Sequence, residues 1–279
     1  MANETTSSTI SELYTEIVAE ALFVAQEQSI MRGLVRNYTI AGGGKSVEVP
    51  IYANVSAAAV NEATDLSNTA VNPTSVTITA AEIGIMTTLT DLARNSASRN
   101  VAADIGRLFG EAIATKIDTD LAALFSGFST EKGPGAGSEV TVQDLFECAA
   151  ELKTNKAPGP YYGVFHPKQI FNVKKSLTNT FVGRDTDLSN EAMRTGFVGN
   201  VAGIQIFESS NIAVDGSDDS VGGVFSQDAL GLAMMQDLKI ESQRDASLRA
   251  DEIVATAVFG VGELHDSYGV KITADTLAA

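Results

Sequence analysis

Between Asn54 and Pro73 the chain runs for 20 residues (NVSAAAVNEATDLSNTAVNP) with almost no side chain large enough to found a core. Alternating apolar runs flank it: Val47, Val49 and Ile51 before, then Val76, Ile78 and Ala80, continuing through Ile83 and Ile85. A period of two marks a strand. The pattern predicts a long two-stranded arm with a core-poor tip. An isolated hairpin is only marginally stable in water, so an arm of this size needs a surface to rest on, and another chain is the plainest source.

The strongest helical pattern follows at once. From Asp91 to Phe125, one row holds Val101, Ile105, Leu108 and Ala112, and a parallel row holds Phe109, Ile113, Ile117, Leu121 and Leu124. Asp104, Arg107 and Glu111 are helical neighbours of alternating sign. At 1.5 Å per residue such a helix would run roughly 50 Å and serve as a spine for the whole domain. An amphipathic helix is also predicted from Ile10 to about Gly33, carrying Leu13, Ile17, Ala21 and Val24, with Thr9 and Glu12 as a capping box.

The remainder mixes the two periods. Helices are expected over Val142 to Lys153, capped by Thr141, after Pro167, and over Asn190 to Arg194. Strands are expected at Tyr162 to Phe165, Gly203 to Phe207, Val221 to Phe225, Asp237 to Ser242, Ile253 to Val261 and Val270 to Thr273. Without regular βαβα alternation the class is α+β.

Charge narrows the function. Thirty-five acidic against 19 basic side chains give a net charge of −16, the wrong sign for a protein whose task is to coat a polyanion. One cysteine, Cys148, and two histidines, His166 and His265, leave no disulfide framework and little for a zinc module. Met1 to Thr9 lacks the basic residues of a targeting segment, and no apolar stretch approaches the roughly 20 residues of a membrane span. The expectation is a protein folded in a cytosol, with no membrane partner.

The candidate chemical motifs fail on context. Gly42-Gly43-Gly44-Lys45-Ser46 resembles the end of a phosphate-binding loop, but Thr39 stands where its leading glycine belongs and a strand with Pro50 follows instead of a helix. A hinge is the better reading. Gly260 and Gly262 lie between strand-like runs, so they mark a bulge or close crossing rather than a dinucleotide fingerprint. His166 has no local nucleophile to serve. His265 beside Glu263 and Asp266 reads as a solvated corner, Asp215 to Asp219 as a polar loop lacking a calcium site's terminal glutamate, and Cys148 as a buried inert thiol. The sequence offers no catalytic constellation and calls for no cofactor.

The order of elements resembles the major capsid proteins of tailed bacteriophages, the Hong Kong 97-type fold. Local patterns add to it: Gly163-Val-Phe-His-Pro-Lys-Gln-Ile-Phe171, Gly203-Ile-Gln-Ile-Phe-Glu-Ser209, and Arg249-Ala-Asp-Glu-Ile-Val-Ala-Thr-Ala-Val-Phe-Gly260. The resemblance implies an N-terminal arm over 1–40, an extended loop over 41–90, a peripheral domain over 91–156 and 250–279, and an axial domain over 157–249. It implies a structural role, in which hexamers and pentamers of this chain tile an icosahedral shell around a double-stranded DNA genome in a virion, after assembly in the host cytoplasm. An acidic wall suits that task, because a shell holds its genome by enclosure and not by sequence-specific binding.

Some shells of this kind weld subunits through a lysine in the extended loop, yet here no Lys or Arg occurs between Ser46 and Ala93. A shell without covalent cross-links is expected, relying on overlapping arms and loops or on a decoration protein. A portal is implied, and a separate scaffolding protein is expected because the arm helix starts near Ile10. Loop acids Glu48, Glu62 and Asp65 should meet arginines of a neighbour, the candidates being Arg32, Arg36, Arg94, Arg99 and Arg107. An encapsulin-like shell around a protein cargo and a soluble α+β enzyme are the competing readings, and the enzyme leaves the core-poor arm unexplained.

Overall fold

The computed structural model describes residues 29–41, 44–52, 55, 57, 59–61, 65, 70–96, 101–181 and 199–276. The helices expected before Ser29 and over Asn190 to Arg194 lie outside these residues.

After a 3-10 turn, Met31–Gly33, strand β1 (Arg36–Thr39) leads into β2 (Ser46–Ile51) and β3 (Thr74–Thr79), which pair with each other as an antiparallel hairpin. Strand β4 (Ala81–Thr90) does not extend that hairpin. It joins a four-stranded sheet with β9 (Leu230–Asp245) and β10 (Ala250–Glu263) in the order β1-β9-β10-β4, pairing with β10 from Ala81↔Phe259 to Thr90↔Ala250. The arm is therefore shorter than its alternating pattern suggests. Period-two alternation fixes which face of a strand is buried and says nothing of its partner. The switch falls at buried Ala80, whose amide donates to the Lys45 carbonyl at 2.8 Å.

Two described helices occupy the expected spine, with residues 97–100 between them outside the described ones. Helix α1 (Asp91–Ser96) is followed by α2 (Val101–Ala123), closed by a 3-10 turn over Leu124–Gly127. At 23 residues, α2 spans roughly 35 Å. Phe109, Ile113, Ile117 and Leu121 of one apolar row lie in the core, while in the other Ile105 packs partly against it and Leu108 is 60% exposed. The buried row packs on Leu238, Ile240, Ile253, Ala255 and Phe259 of the four-stranded sheet.

A second sheet, in the order β11-β8-β5-β7-β6, contains β5 (Tyr161–Phe165), β6 (Asn200–Val201), β7 (Ile204–Glu208), β8 (Asp219–Ser226) and β11 (Gly269–Asp275). Helices α3 (Val142–Thr154) and α4 (Pro167–Phe181) cover one face. Leu145, Cys148, Leu152, Ile170 and Val173 meet Phe165, Ile204, Val224 and Ile272 there. Asp144 reaches back to accept from the Thr141 amide at 2.7 Å, closing the expected N-terminus of α3.

Glycines thread this second sheet between two aromatic layers. A Cβ on Gly222 would collide with the Phe165 ring, and one on Gly223 would stand 2.6 Å from the Phe125 ring on the opposite face. The centroids of Phe125 and Phe225 are 5.4 Å apart, both within the core that α2 shares.

Candidate assembly surfaces

The hairpin of β2 and β3 has its own small core, in which Val49, Ile78 and Ala80 meet Ile40, Ala233 and Leu264. Ile78 enters a notch walled by Gly231 and Gly262, and Gly260 lets the Thr79 backbone approach closely, since a Cβ there would collide with the Thr79 carbonyl oxygen. The close crossing expected at Gly260 and Gly262 is thus the seat of the hairpin. Beyond it Tyr52, Val55, Val60 and Val71 are 61%, 62%, 50% and 51% exposed. An anchored base with one tyrosine and three valines exposed beyond it makes a surface suited to another molecule.

The candidate arginines divide. Arg32 is committed to Asp237 at 3.2 Å and Arg36 to Asp228 at 2.7 Å, both partners belonging to the same chain. Neither pair was visible in the sequence, because about 200 residues separate the partners. Arg107 is exposed on α2 beside exposed Leu108, and Glu48 is exposed on β2. Arg94 lies on α1. Asp65 is exposed, while Glu62 and Arg99 lie outside the described residues.

Sequence reasoning passed over Asp118, which is 1% exposed on α2. Its Oδ1 accepts from Ser29 Oγ at 2.8 Å and from the Met31 amide at 3.2 Å, and its Oδ2 from the Ile30 amide at 3.2 Å. Burial raises its pKa above the ordinary carboxylate range, opposed by these hydrogen bonds and one from Asn211. This carboxylate fixes where the N-terminal segment leaves the domain. A buried acid within an apolar helical row was the available signal.

The other candidates have structural surroundings. His265 stacks on Tyr268 with ring centroids 4.6 Å apart, and burial lowers its pKa. Burial raises Glu263, with Asp266 adding to the effect. Asp215 Oδ1 accepts from the amides of Ser217 and Asp219, making a self-satisfied loop. Burial pushes the Cys148 thiol up to about 12. Among the described residues no cluster of three or more His, Cys, Asp or Glu could hold a metal, and no helix is long and apolar enough to cross a membrane.

A family model described as phage capsid protein matches residues 73–272. Among solved structures, the capsid of cyanophage P-SCSP1u superposes with a TM-score of 0.69 at 20% identity, covering 88% of each chain. A Mycobacterium phage Che8 structure gives 0.65 at 22% identity, with 82% of this chain and 84% of that one covered. The head of Helicobacter pylori bacteriophage KHP40 gives 0.69 at 11% identity over 89% and 92%. No curated protein matches. The architecture is the Hong Kong 97-type fold, that of a structural protein that builds a shell from repeated subunits. The chain belongs to the phage capsid protein family: it forms part of the virion capsid and is not an enzyme.

Proposed function

We propose that the protein assembles as hexamers and pentamers into an icosahedral shell enclosing double-stranded DNA. The observation that carries this reading is the hairpin: its base is locked into the Gly231 and Gly262 notch, while its loop holds four large apolar side chains in solvent. A neighbour's α2, with Leu108 and Arg107 exposed, is the surface that would receive it. Loop acids Glu48, Glu62 and Asp65 would then face cationic side chains of a neighbour, with Arg32, Arg36, Arg94, Arg99 and Arg107 as the candidates; Arg32 and Arg36 would have to share theirs with Asp237 and Asp228.

The domain division is likewise our proposal. Residues 1–40 form the arm and 41–90 contain the extended loop. The expected peripheral grouping is 91–156 with 250–279, and the axial grouping 157–249. The two cores favour moving α3 and β11 to the axial unit and β9 to the peripheral one, since each packs there. Without a Lys or Arg from 46 to 93, the loop carries an amine only at its base, Lys45, and none at its tip for a covalent weld. Assembly takes place in the host cytoplasm, with a scaffolding protein, a portal and a decoration protein as separate partners.

Electron microscopy of the expressed protein tests the reading. Shells or hexameric capsomers, holding nucleic acid when purified from phage, are expected. Small monodisperse particles, or shells loaded with an enzyme cargo, overturn it.

A further inference from the structure

Strand β4 is a long open edge of the four-stranded sheet. Its 10 residues pair with β10 in one unbroken register, from Ala81↔Phe259 to Thr90↔Ala250, and among the described residues no strand pairs with its other side. The opposite edge, β1, has only 4 residues, and β6, an edge of the second sheet, has 2. Edges that stay in solvent are blunted by shortness, by Lys or Pro, or by a bulge, each of which deters a further strand. None of these protects β4. From Ile83 to Thr90 no residue is charged, and Glu82 is the strand's one charge. Ile85 is 36% exposed and Met86 60%.

The two faces of the strand differ. Ile83 packs on the core beneath α2, so alternation puts Ile85 on that face and Gly84 and Met86 on the other. Gly84 lies close on β10, where a Cβ would stand 3.3 Å from both the Ala255 carbonyl oxygen and Thr256 Cγ2. The outer side of the strand thus offers one bare backbone position flanked, two residues on, by one large exposed side chain.

We propose that β4 pairs antiparallel with β4 of a second copy across a two-fold axis, with Ile85 opposite the second copy's Ile85 and Met86 over the second copy's Gly84. A two-fold contact has to be self-complementary, and this run satisfies that condition. In the stated register Ile83 meets Thr87, and Glu82 meets Thr88 instead of another acid. Main-chain hydrogen bonds supply the affinity, as they do wherever a strand is added to an open edge. A neighbour's acidic loop is the poorer occupant. Its Glu48, Glu62 and Asp65 would approach Glu82 where neither strand has a Lys or Arg to offset them, since none occurs between Ser46 and Ala93.

The pairing rests on the shell proposed above, and the test uses the full chain in assembled particles. Ile85→Cys alone should give disulfide-linked dimers on mild oxidation, because the two-fold axis sets this residue beside its own copy. Glu82→Cys should give none, since an offset of six residues holds the two copies of that position about 20 Å apart. Wild type should stay monomeric on the same non-reducing gel, its free Cys148 being buried. A second measurement avoids reliance on cysteine geometry. Ile85→Lys puts a charge on the edge and should lower particle yield about tenfold, equivalent to about 1.4 kcal/mol, while the free subunit melts as wild type does. Particles that form but yield no Ile85→Cys dimers overturn the pairing and leave the shell standing, and so does full particle yield from Ile85→Lys. Dimers from Glu82→Cys in place of Ile85→Cys overturn the self-paired register. A wild-type chain that builds no shell overturns both readings.

Discussion

Ile78 sits against Gly262 so closely that a Cβ on the glycine would lie 2.9 Å from the isoleucine Cγ1. Gly231 is as close on the other side, at 2.9 Å from Cδ1. This contact anchors the arm, because β2 and β3 form a sheet of their own whose described apolar contact with β9 and β10 is the small cluster around Ile78.

Gly262→Val should therefore cost about 1–3 kcal/mol through overpacking, and Ile78→Ala about 2–5 kcal/mol through the cavity it leaves. Because the methyls added by Gly262→Val would occupy the space vacated by Ile78→Ala, the double variant should lose less than the sum of the two. Denaturant melts of the four proteins measure this. Strict additivity would show that the notch does not hold the hairpin.

Asp118→Asn turns one of the two accepting oxygens into a donor that faces a backbone amide. The expected loss is about 1–3 kcal/mol, accompanied by faster proteolysis just before Ser29. The pH dependence has a definite sign. The pKa of Asp118 is raised in the folded protein, so the native state keeps a proton that the unfolded chain has lost. The group's contribution to stability falls as pH rises from the unfolded carboxylate value through the folded one, and is level above it. Wild type should lose stability relative to Asp118→Asn across that window. A difference that grows with pH there would contradict this account of the site.

Cys148 is fully buried on α3, and its thiol is pushed up to about 12 first by burial and then by Asp144 and Glu147. The thiolate is the reactive form, so a thiol reagent at neutral pH should label the native protein only as fast as it opens. Labelling should reach the free-cysteine rate in denaturant. Rapid labelling of native particles would show that α3 does not seal this core.

The sequence made the strands and helices legible wherever one face is buried in the chain itself. Phe109, Ile113, Ile117 and Leu121 identify the inner face of α2 because burial and period coincide. Leu108 belongs to an equally regular row and yet is exposed, since a period registers apolar surface without saying whether this chain or another will cover it. The same gap misplaced β4, whose alternation matches β3 and whose partner is β10, about 170 residues away. Asp118 escaped notice because its partners lie 87 to 89 residues before it. The pairs Arg32 with Asp237 and Arg36 with Asp228 had the same disguise.

Arg107 on α2 and Glu48 on β2 are the pair to test. Both are exposed, and an exposed ion pair is worth at most about 1 kcal/mol, so Arg107→Glu should change the subunit's own melting little. In a shell the same contact recurs at every subunit. A loss of about 1.4 kcal/mol per contact, from a lost attraction plus a new repulsion, corresponds to about tenfold in each association constant. Arg107→Glu should therefore lower the yield of particles while leaving soluble subunits folded, and Glu48→Lys alone should do the same. If the two side chains meet across the interface, the double reversal restores attraction and particle yield recovers. If yield and melting temperature are unchanged in Arg107→Glu, the spine arginine is not what the loop rests on. If both single variants fail to assemble and the double variant does too, each residue matters but they do not pair with each other, and Glu62 or Asp65 becomes the acid to reverse next. Sedimentation of the assembled and unassembled fractions at two salt concentrations separates these outcomes, because a charge contact weakens as salt screens it whereas burial of Tyr52, Val55, Val60 and Val71 does not.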